Sequence, residues 1–193
     1  VRYNITYDVS RVVDVNRKFT QYGTKIDTEI DMVDYVKQSY ELYNSTEGPE
    51  LWPLKANTHY PWYEPTQIEI DTLGCQPGVF GPNSASLLMK ALYCARMVRL
   101  DICYTINTLS KYVTKWNALC DKQLRHLYSY LSTTINVKLH GRVDSNDLDN
   151  VVLHAYPDAD LAVTFDTARA TSGVFVELIG DNTFFPLDRF SNL

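Results

Sequence analysis

Residues 84–133 repeat apolar side chains at steps of three and four positions, and this period constrains the fold more than any other feature of the chain. A helix turns once every 3.6 residues, so this spacing places the apolar side chains on one face. The pattern predicts three consecutive helices, over residues 84–98, 101–113 and 118–133. Asp101 and Asn117 are the predicted N-caps of the second and third helices, because their side chains accept hydrogen bonds from free backbone N–H groups.

The chain on either side of this block alternates apolar and polar residues, as half-buried strands do. Beyond Asn136 the sequence predicts strands over residues 137–143, 151–156 and 171–178, and a further strand that begins at 182–185. Nearer the N-terminus it predicts two short strands within residues 7–28, a turn between them at 16–18, and a helix over 31–43. Short strands joined by tight turns are typical of an antiparallel meander, so the predicted fold class is α+β.

Residues 45–83 hold most of the prolines of the chain. Proline fixes φ and has no N–H to donate, so the segment is predicted to be an irregular connection. Loops of this length usually run over a surface or carry function. Trp52 and Trp62 lie in this segment, and we interpret them, like Trp116, as core or loop anchors rather than base-stacking platforms.

The net charge of −5 argues against a simple nucleic-acid-binding protein, but the charges are unevenly placed. Residues 84–126 carry seven basic and two acidic side chains, whereas residues 143–193 carry nine acidic and two basic ones. The four cysteines form no C-x-x-C pair, so we expect reduced intracellular thiols rather than a zinc site. No apolar run approaches the ~20 residues of a membrane span, so we expect no membrane partner and a location in the cytoplasm or nucleus.

Two segments carry motifs of a known family. The helical block contains Leu92–Tyr93, Arg99–Ile102 and Leu109–Tyr112, which match the family patterns G-x-L-x-Y, R-P-D-I and L-S-R-Y. Residues 155–178, AYPDADLAVTFDTARATSGVFVEL, match G-Y-S-D-A-D-W-A-G-D-x-x-x-R-x-S-T-S-G-Y-V-F. In this order and spacing the chain resembles the polyprotein of copia-type LTR retrotransposons, where the reverse transcriptase runs into the ribonuclease H domain.

The resemblance implies a division into three consecutive regions. Residues 1–44 would form a partial palm edge of the reverse transcriptase, and residues 45–136 its thumb and connection helices. Residues 137–193 would open an incomplete ribonuclease H-like antiparallel sheet. An incomplete sheet has an unpaired edge, so we also expect self-association through that edge.

The sequence departs from the family pattern at several motif positions. Leu100 replaces the proline of R-P-D-I, and Leu161 and Val163 replace the aromatic residue and the glycine that follow D-A-D. We expect the paired polymerase aspartates to lie upstream of Val1 and the next ribonuclease H carboxylate to lie beyond Leu193. The parent family copies RNA into DNA and cleaves the RNA of RNA–DNA hybrids, but we expect this chain alone to be inactive.

Ribonuclease H chemistry requires a cluster of carboxylates that holds two Mg²⁺ ions. The resemblance implies that Asp158 is the catalytic residue and the first metal ligand. Asp160 lies two residues further along the strand, on the same face, and is the second predicted metal ligand. Mg²⁺ or Mn²⁺ is the expected cofactor if activity remains. Without the family context, the favoured interpretation of this D-x-D pair is a polar strand end with no metal.

Basic side chains on the predicted helices suit contacts with the phosphates of an RNA–DNA hybrid, DNA or RNA. The residues predicted to make these contacts are Lys90, Arg96, Arg99, Lys111, Lys115 and Arg125. The alternative, that they are ordinary solvated helix faces, stays open. His126 and His154 are interpreted as structural. Three functions therefore remain: an enzyme fragment, a nucleic-acid-binding relic without catalysis, and a degraded element without function.

Overall fold

The computed structural model describes residues 6–8, 15–160 and 171–192. It has an α+β fold, as the sequence predicts. Contacts group the chain into two units: residues 32–137, and residues 1–31 together with 138–193. This grouping differs from the three consecutive ranges of the sequence prediction. The reason is that residues 25–30, near the N-terminus, pair with residues 139–144, which follow the helical block.

The helical unit contains five α-helices among the described residues. They are α1 (Val33–Ser45), α2 (Gln67–Leu73), α3 (Ser84–Met97), α4 (Cys103–Ser110) and α5 (Ala118–Thr133). The predictions of α1, α3 and α5 are confirmed to within two residues at each end. Asn117 is confirmed as the N-cap of α5, since its side chain accepts the Cys120 N–H at 3.0 Å.

Two predictions about this unit were wrong. Asp101 does not cap α4, because residues 100–102 form a 3₁₀ turn, Ile102 is the N-cap, and the Asp101 carboxylate pairs with Arg99 instead. The proline-rich segment is not wholly irregular, because it contains α2. Thr66 and Glu69 form a reciprocal capping box at its start, in which each side chain accepts a hydrogen bond from the other residue's backbone N–H.

The core of the helical unit lies between α1, α3, α4 and α5. Leu87, Ile106, Leu124 and Leu127 are completely buried there. Each such side chain stabilises the fold by about 1.5–3 kcal/mol relative to an exposed position. These helices therefore form one packed body around their apolar faces, as the periodicity predicts.

The second unit is a single antiparallel sheet of seven described strands. They are β1 (Thr6–Asp8), β2 (Asn16–Tyr22), β3 (Lys25–Asp31), β4 (Leu139–Asp144), β5 (Val152–Asp160), β6 (Thr171–Ile179) and β7 (Phe184–Asn192). Their order across the sheet is β1-β2-β3-β4-β7-β6-β5. The turn predicted at residues 16–18 was wrong, because those residues begin β2. The hairpin turns instead at Gly23, whose φ of +63° favours glycine.

Most of the remaining strand predictions concern the C-terminal part of the chain. The four strands predicted beyond Asn136 correspond to β4, β5, β6 and β7, although β7 begins at Phe184 and continues through Pro186. The first predicted strand near the N-terminus lies mostly in residues 9–14, outside the described residues. In the described part of the chain, no helix is both long enough and apolar enough to cross a membrane.

Candidate functional site

The register between β5 and β6 sets the surroundings of Asp158. Asp158 lies opposite Gly173, and Asp160 lies opposite Thr171. The side chain of Asp158 is exposed, and Gly173 places no side chain beside it on the neighbouring strand. Asp160 is described only by its backbone, which continues β5 and puts it on the same face as Asp158.

The same face of β5 carries polar side chains further from the strand end. His154 Nδ1 lies 3.4 Å from the Tyr156 hydroxyl. A hydrogen bond to Glu177, which lies opposite His154 on β6, raises the pKa of Tyr156. The carboxylate of Glu177 is therefore engaged four positions along β6 from Gly173, and it does not join Asp158 in a cluster.

Two-metal chemistry needs several carboxylates converging on one point. Among the described residues, no group of three or more His, Cys, Asp and Glu side chains is arranged to hold a metal ion. Asp158 is the one described side chain of the predicted pair. The described donor set therefore does not match a two-metal centre, and the role of Asp158 and Asp160 as ligands stays a prediction.

Arg99 does not belong to an exposed basic surface, although the sequence placed it there. Its side chain is 1% exposed, and its Nε and Nη2 donate to the two carboxylate oxygens of Asp101 at 3.0 and 2.8 Å. Arg99 also donates to the carbonyl and hydroxyl oxygens of Thr134, and Tyr130 donates to Asp101 at 2.6 Å. All these bonds fix the start of α4 against the end of α5, so the guanidinium is not available to a phosphate.

Lys90 and Arg125 are half-buried, and each lies over an aromatic ring. The Lys90 ammonium is 4.3 Å from the centre of the Tyr35 ring and donates to Gln38 at 3.4 Å. The Arg125 guanidinium is 5.0 Å from the Trp52 ring. Such cation–π contacts stabilise the packing by about 0.5–2 kcal/mol. Trp52 thereby acts as an anchor between the proline-rich segment and α5, as predicted.

Arg96, Lys111 and Lys115 are the predicted cations that are exposed. Arg96 lies in the last turn of α3, while Lys111 and Lys115 follow α4 closely. The Lys115 ammonium lies 5.2 Å from the Tyr112 ring. Of the six predicted contact residues, these three have the accessibility that a phosphate contact requires.

The sequence reasoning missed a group of aromatic rings where the proline-rich segment crosses α4 and α5. His126 on α5 lies 5.1 Å from the Tyr60 ring and 5.5 Å from the Tyr63 ring. Trp62 meets Tyr104 of α4 edge to face at 5.4 Å. The clustering of Tyr60, Trp62 and Tyr63 within four residues was the available signal.

Hydrogen bonds from α5 hold this part of the segment in place. Ser129 accepts the Lys55 N–H at 2.9 Å, and Thr133 accepts the Thr58 N–H at 3.4 Å. The Tyr60 carbonyl lies 2.9 Å from His126 Nε2, and because a carbonyl only accepts, Nε2 is the donor. The irregular segment is therefore fixed by specific bonds along one helix, and its aromatic side chains keep defined positions.

Glu69 joins α2 to α5. Its carboxylate accepts from the Tyr63 hydroxyl at 2.9 Å and forms an ion pair with Lys122. Hydrogen bonds from Lys122 and from the Thr66 backbone lower the pKa of Glu69 to about 2. The Lys122 ammonium also lies 4.5 Å from the Tyr63 ring.

No family model, curated protein or solved structure matches the chain.

Proposed function

We propose that this chain is part of a copia-type retrotransposon polyprotein, where the reverse transcriptase meets the ribonuclease H domain, and that alone it binds nucleic acid without cleaving it. The observation that carries the proposal is the register of β5 and β6. The two halves of the family-like motif, Asp158–Asp160 and Thr171–Gly173, are separated by ten residues in sequence but pair directly, residue for residue.

This pairing explains why the motif combines aspartates on one strand with a glycine on the neighbouring strand. A carboxylate at the end of a strand reaches a bound ion or phosphate only if neighbouring side chains leave room for it. Gly173, opposite Asp158, provides that room. The spacing of D-A-D and T-S-G therefore suits an exposed acidic strand end, which the resemblance identifies with the first carboxylate of ribonuclease H.

Nucleic-acid binding is the part of the parent function that the exposed side chains support. Arg96, Lys111 and Lys115 are exposed cations on the helical unit, and cations of this kind bind phosphates by displacing condensed counterions. The partner would be an RNA–DNA hybrid, DNA or RNA. Catalysis is not part of the proposal for this chain, because one described carboxylate holds Mg²⁺ poorly and two-metal cleavage needs a cluster.

The test combines a cleavage assay with a binding assay on the 193-residue chain. Incubation of a labelled RNA–DNA hybrid with Mg²⁺ or Mn²⁺ is expected to give no cleavage by either the wild type or Asp158→Asn. Binding of the same hybrid is expected to weaken steeply with salt. Each phosphate contact adds about 0.9 to the slope of log K against log salt concentration.

The double variant Lys111→Gln, Lys115→Gln tests which cations are used. We expect its salt slope to fall by roughly 2, since two contacts are lost. Lys138→Gln is the matched control, because Lys138 is partly exposed just before β4 and pairs with Glu29 at 3.0 Å. Cleavage that disappears in Asp158→Asn would refute the non-catalytic proposal. No salt-dependent binding would instead favour a degraded element without function.

A further inference from the structure

Four aromatic side chains and one imidazole lie where the proline-rich segment crosses α4 and α5. They are Tyr60, Trp62, Tyr63, Tyr104 and His126, and we refer to them as the aromatic surface. Ring contacts of 5.1 to 5.5 Å connect Tyr60 and Tyr63 through His126, and Trp62 to Tyr104. The two sets are joined along the chain by the adjacent residues 62 and 63.

Two rings of the aromatic surface are open to solvent. Tyr60 is 61% exposed and Tyr104 is 48% exposed. Neither ring is needed to fill the core, which lies on the opposite sides of α4 and α5 around Ile106 and Leu127. Exposed aromatic rings at fixed positions supply large contact areas to a ligand at a low cost in conformational entropy.

The surface is held in position before any ligand arrives. The Tyr60 carbonyl accepts from His126, and the Tyr63 hydroxyl donates to Glu69. The Trp62 indole donates to Glu64 at 2.6 Å. Burial lowers the pKa of His126, which favours the neutral imidazole that donates from Nε2. The rings therefore need little reorganisation on binding.

Cations border the aromatic surface. Lys111 is the C-cap residue of α4, seven residues after Tyr104, and two turns of an ideal helix would place it on the same side, about 10 Å further along the axis. Lys122 lies over Tyr63 on α5. Lys122 offsets the charge of Glu69, whereas Glu64 accepts from the neutral Trp62 indole and keeps its negative charge. The positive charge that an anion can use here is therefore that of Lys111.

We infer that the aromatic surface binds single-stranded nucleic acid by stacking bases on Tyr60 and Tyr104 while Lys111 contacts the phosphates. This inference rests on the proposed nucleic-acid binding and names its substrate class. Flat rings combined with cations suit an unpaired strand, because bases stack on aromatics whatever their identity and the backbone is anionic. A proline-rich peptide also uses aromatic grooves, but it gains nothing from the bordering cations.

The experiment compares three fluorescent ligands on the full chain by anisotropy: a 12-nucleotide oligo(dT), an abasic strand of the same length, and a 12-base-pair duplex. Oligo(dT) is expected to bind at least tenfold more tightly than the abasic strand, because the abasic strand keeps the phosphates and lacks the stacking partners. Equal affinity for the two single strands would overturn the inference. It would leave the phosphate binding of the proposed function intact.

Variants then locate the site. Tyr60→Ala and Tyr104→Ala are each expected to weaken oligo(dT) binding about tenfold and to leave abasic binding unchanged. Tyr60→Phe retains the ring and should bind like the wild type. Circular dichroism checks each fold, and Met89→Ala, an exposed apolar change on α3, is the control. Wild-type binding by both alanine variants would overturn the inference.

A labelled decaproline peptide separates the remaining alternative. Binding of this peptide that is lost in Tyr60→Ala, with no binding of oligo(dT), would assign the surface to a protein partner and overturn the inference. Lys111→Gln should weaken both single strands equally, because it removes a phosphate contact. Failure of all nucleic acids to bind would overturn the proposed function and this inference together, whereas failure of base dependence alone overturns only the latter.

Discussion

The Asp121 carboxylate on α5 is the most sharply testable structural element of the helical unit. It is fully buried, and its Oδ2 accepts the Val79 N–H at 2.6 Å. Its Oδ1 accepts the Phe80 N–H at 3.1 Å and the Trp116 indole N–H at 2.6 Å. One side chain thus satisfies three donors from two chain segments and fixes the end of the proline-rich segment, where Phe80 enters the core.

Removal of this carboxylate leaves three donors without an acceptor. Each buried unsatisfied donor costs about 1–3 kcal/mol, and relaxation with water recovers part of the sum. We therefore expect Asp121→Ala to lower the free energy of unfolding by roughly 3–5 kcal/mol, the range for breaking a buried charged partner. Since a whole domain is stable by about 5–15 kcal/mol, this change is large enough to measure with ease.

Asp121→Asn gives a graded version of the same test. The amide keeps one oxygen, which can still accept from Phe80 and Trp116, but its NH₂ group then faces the Val79 N–H. One donor is lost rather than three, so the expected cost is about 1–3 kcal/mol. The effect of Asn should fall between those of the wild type and Ala.

Urea unfolding followed by circular dichroism measures both variants. Asp71→Ala is the matched control, because Asp71 is an exposed aspartate on α2 and surface changes alter stability by no more than about 0.5 kcal/mol. If Asp121→Ala were no more destabilising than Asp71→Ala, the three hydrogen bonds would not stabilise the fold by the expected amount, roughly 3–5 kcal/mol. An Asn variant as costly as Ala would show that charge, rather than the number of satisfied donors, decides the effect.

Three further predictions concern other parts of the chain. Burial opposes the charge of Asp101, but hydrogen bonds from Arg99 outweigh it and keep the pKa of Asp101 low, so this carboxylate stabilises the fold above its unfolded pKa. Unfolding free energy measured by urea titration should therefore decrease as the pH falls below about 4, and decrease less in Asp101→Asn; identical pH profiles would contradict this. Gly78→Ala should lower the free energy of unfolding by about 1–3 kcal/mol, because the new Cβ would lie 2.5 Å from the Asn117 carbonyl oxygen. An unchanged free energy of unfolding would show that this loop shifts to admit the methyl group. Leu153 is exposed on the edge strand β5 and should support self-association of the chain. In sedimentation equilibrium, Leu153→Lys should therefore reduce the rise of average mass with protein concentration. An unchanged rise would place the self-association contact elsewhere.

Local periodicity was sufficient to predict the helices that bury one face. The apolar steps of α3 and α5 repeat over at least three turns, so the predictions hold there, and Asn117 caps α5 through a bond of short range in sequence. The start of α4 could not be predicted in this way. Asp101 is a good N-cap by type, but its carboxylate is held by Tyr130, which is 29 residues away in sequence and invisible to a local pattern.

Two other signals in the sequence indicated the correct local structure, but competing patterns nearby led to different predictions. The T-x-x-E pattern of Thr66 and Glu69 is a capping-box signature, and the surrounding prolines led to the prediction of an irregular segment. Gly23 marks the first hairpin turn better than the polar residues 16–18, because a positive φ is needed there. The pairing of β3 with β4 spans more than a hundred residues, and no alternation within either strand specifies its partner.

The positions of Arg99 and Asp101 affect how the family resemblance should be interpreted. Arg99 lies in the R-x-D-I pattern of the resemblance, and the sequence predicts a phosphate contact for it because it is one of the basic residues of the helical block. In the fold, its guanidinium instead satisfies the Asp101 carboxylate and the Thr134 oxygens at the junction of α4 and α5. Removal of the Asp101 carboxylate would leave the buried Arg99 guanidinium without its ion-pair partner, which is costly. The R-x-D-I residues of this chain are therefore explained by packing, and the proposal of nucleic-acid binding rests on the exposed cations Arg96, Lys111 and Lys115.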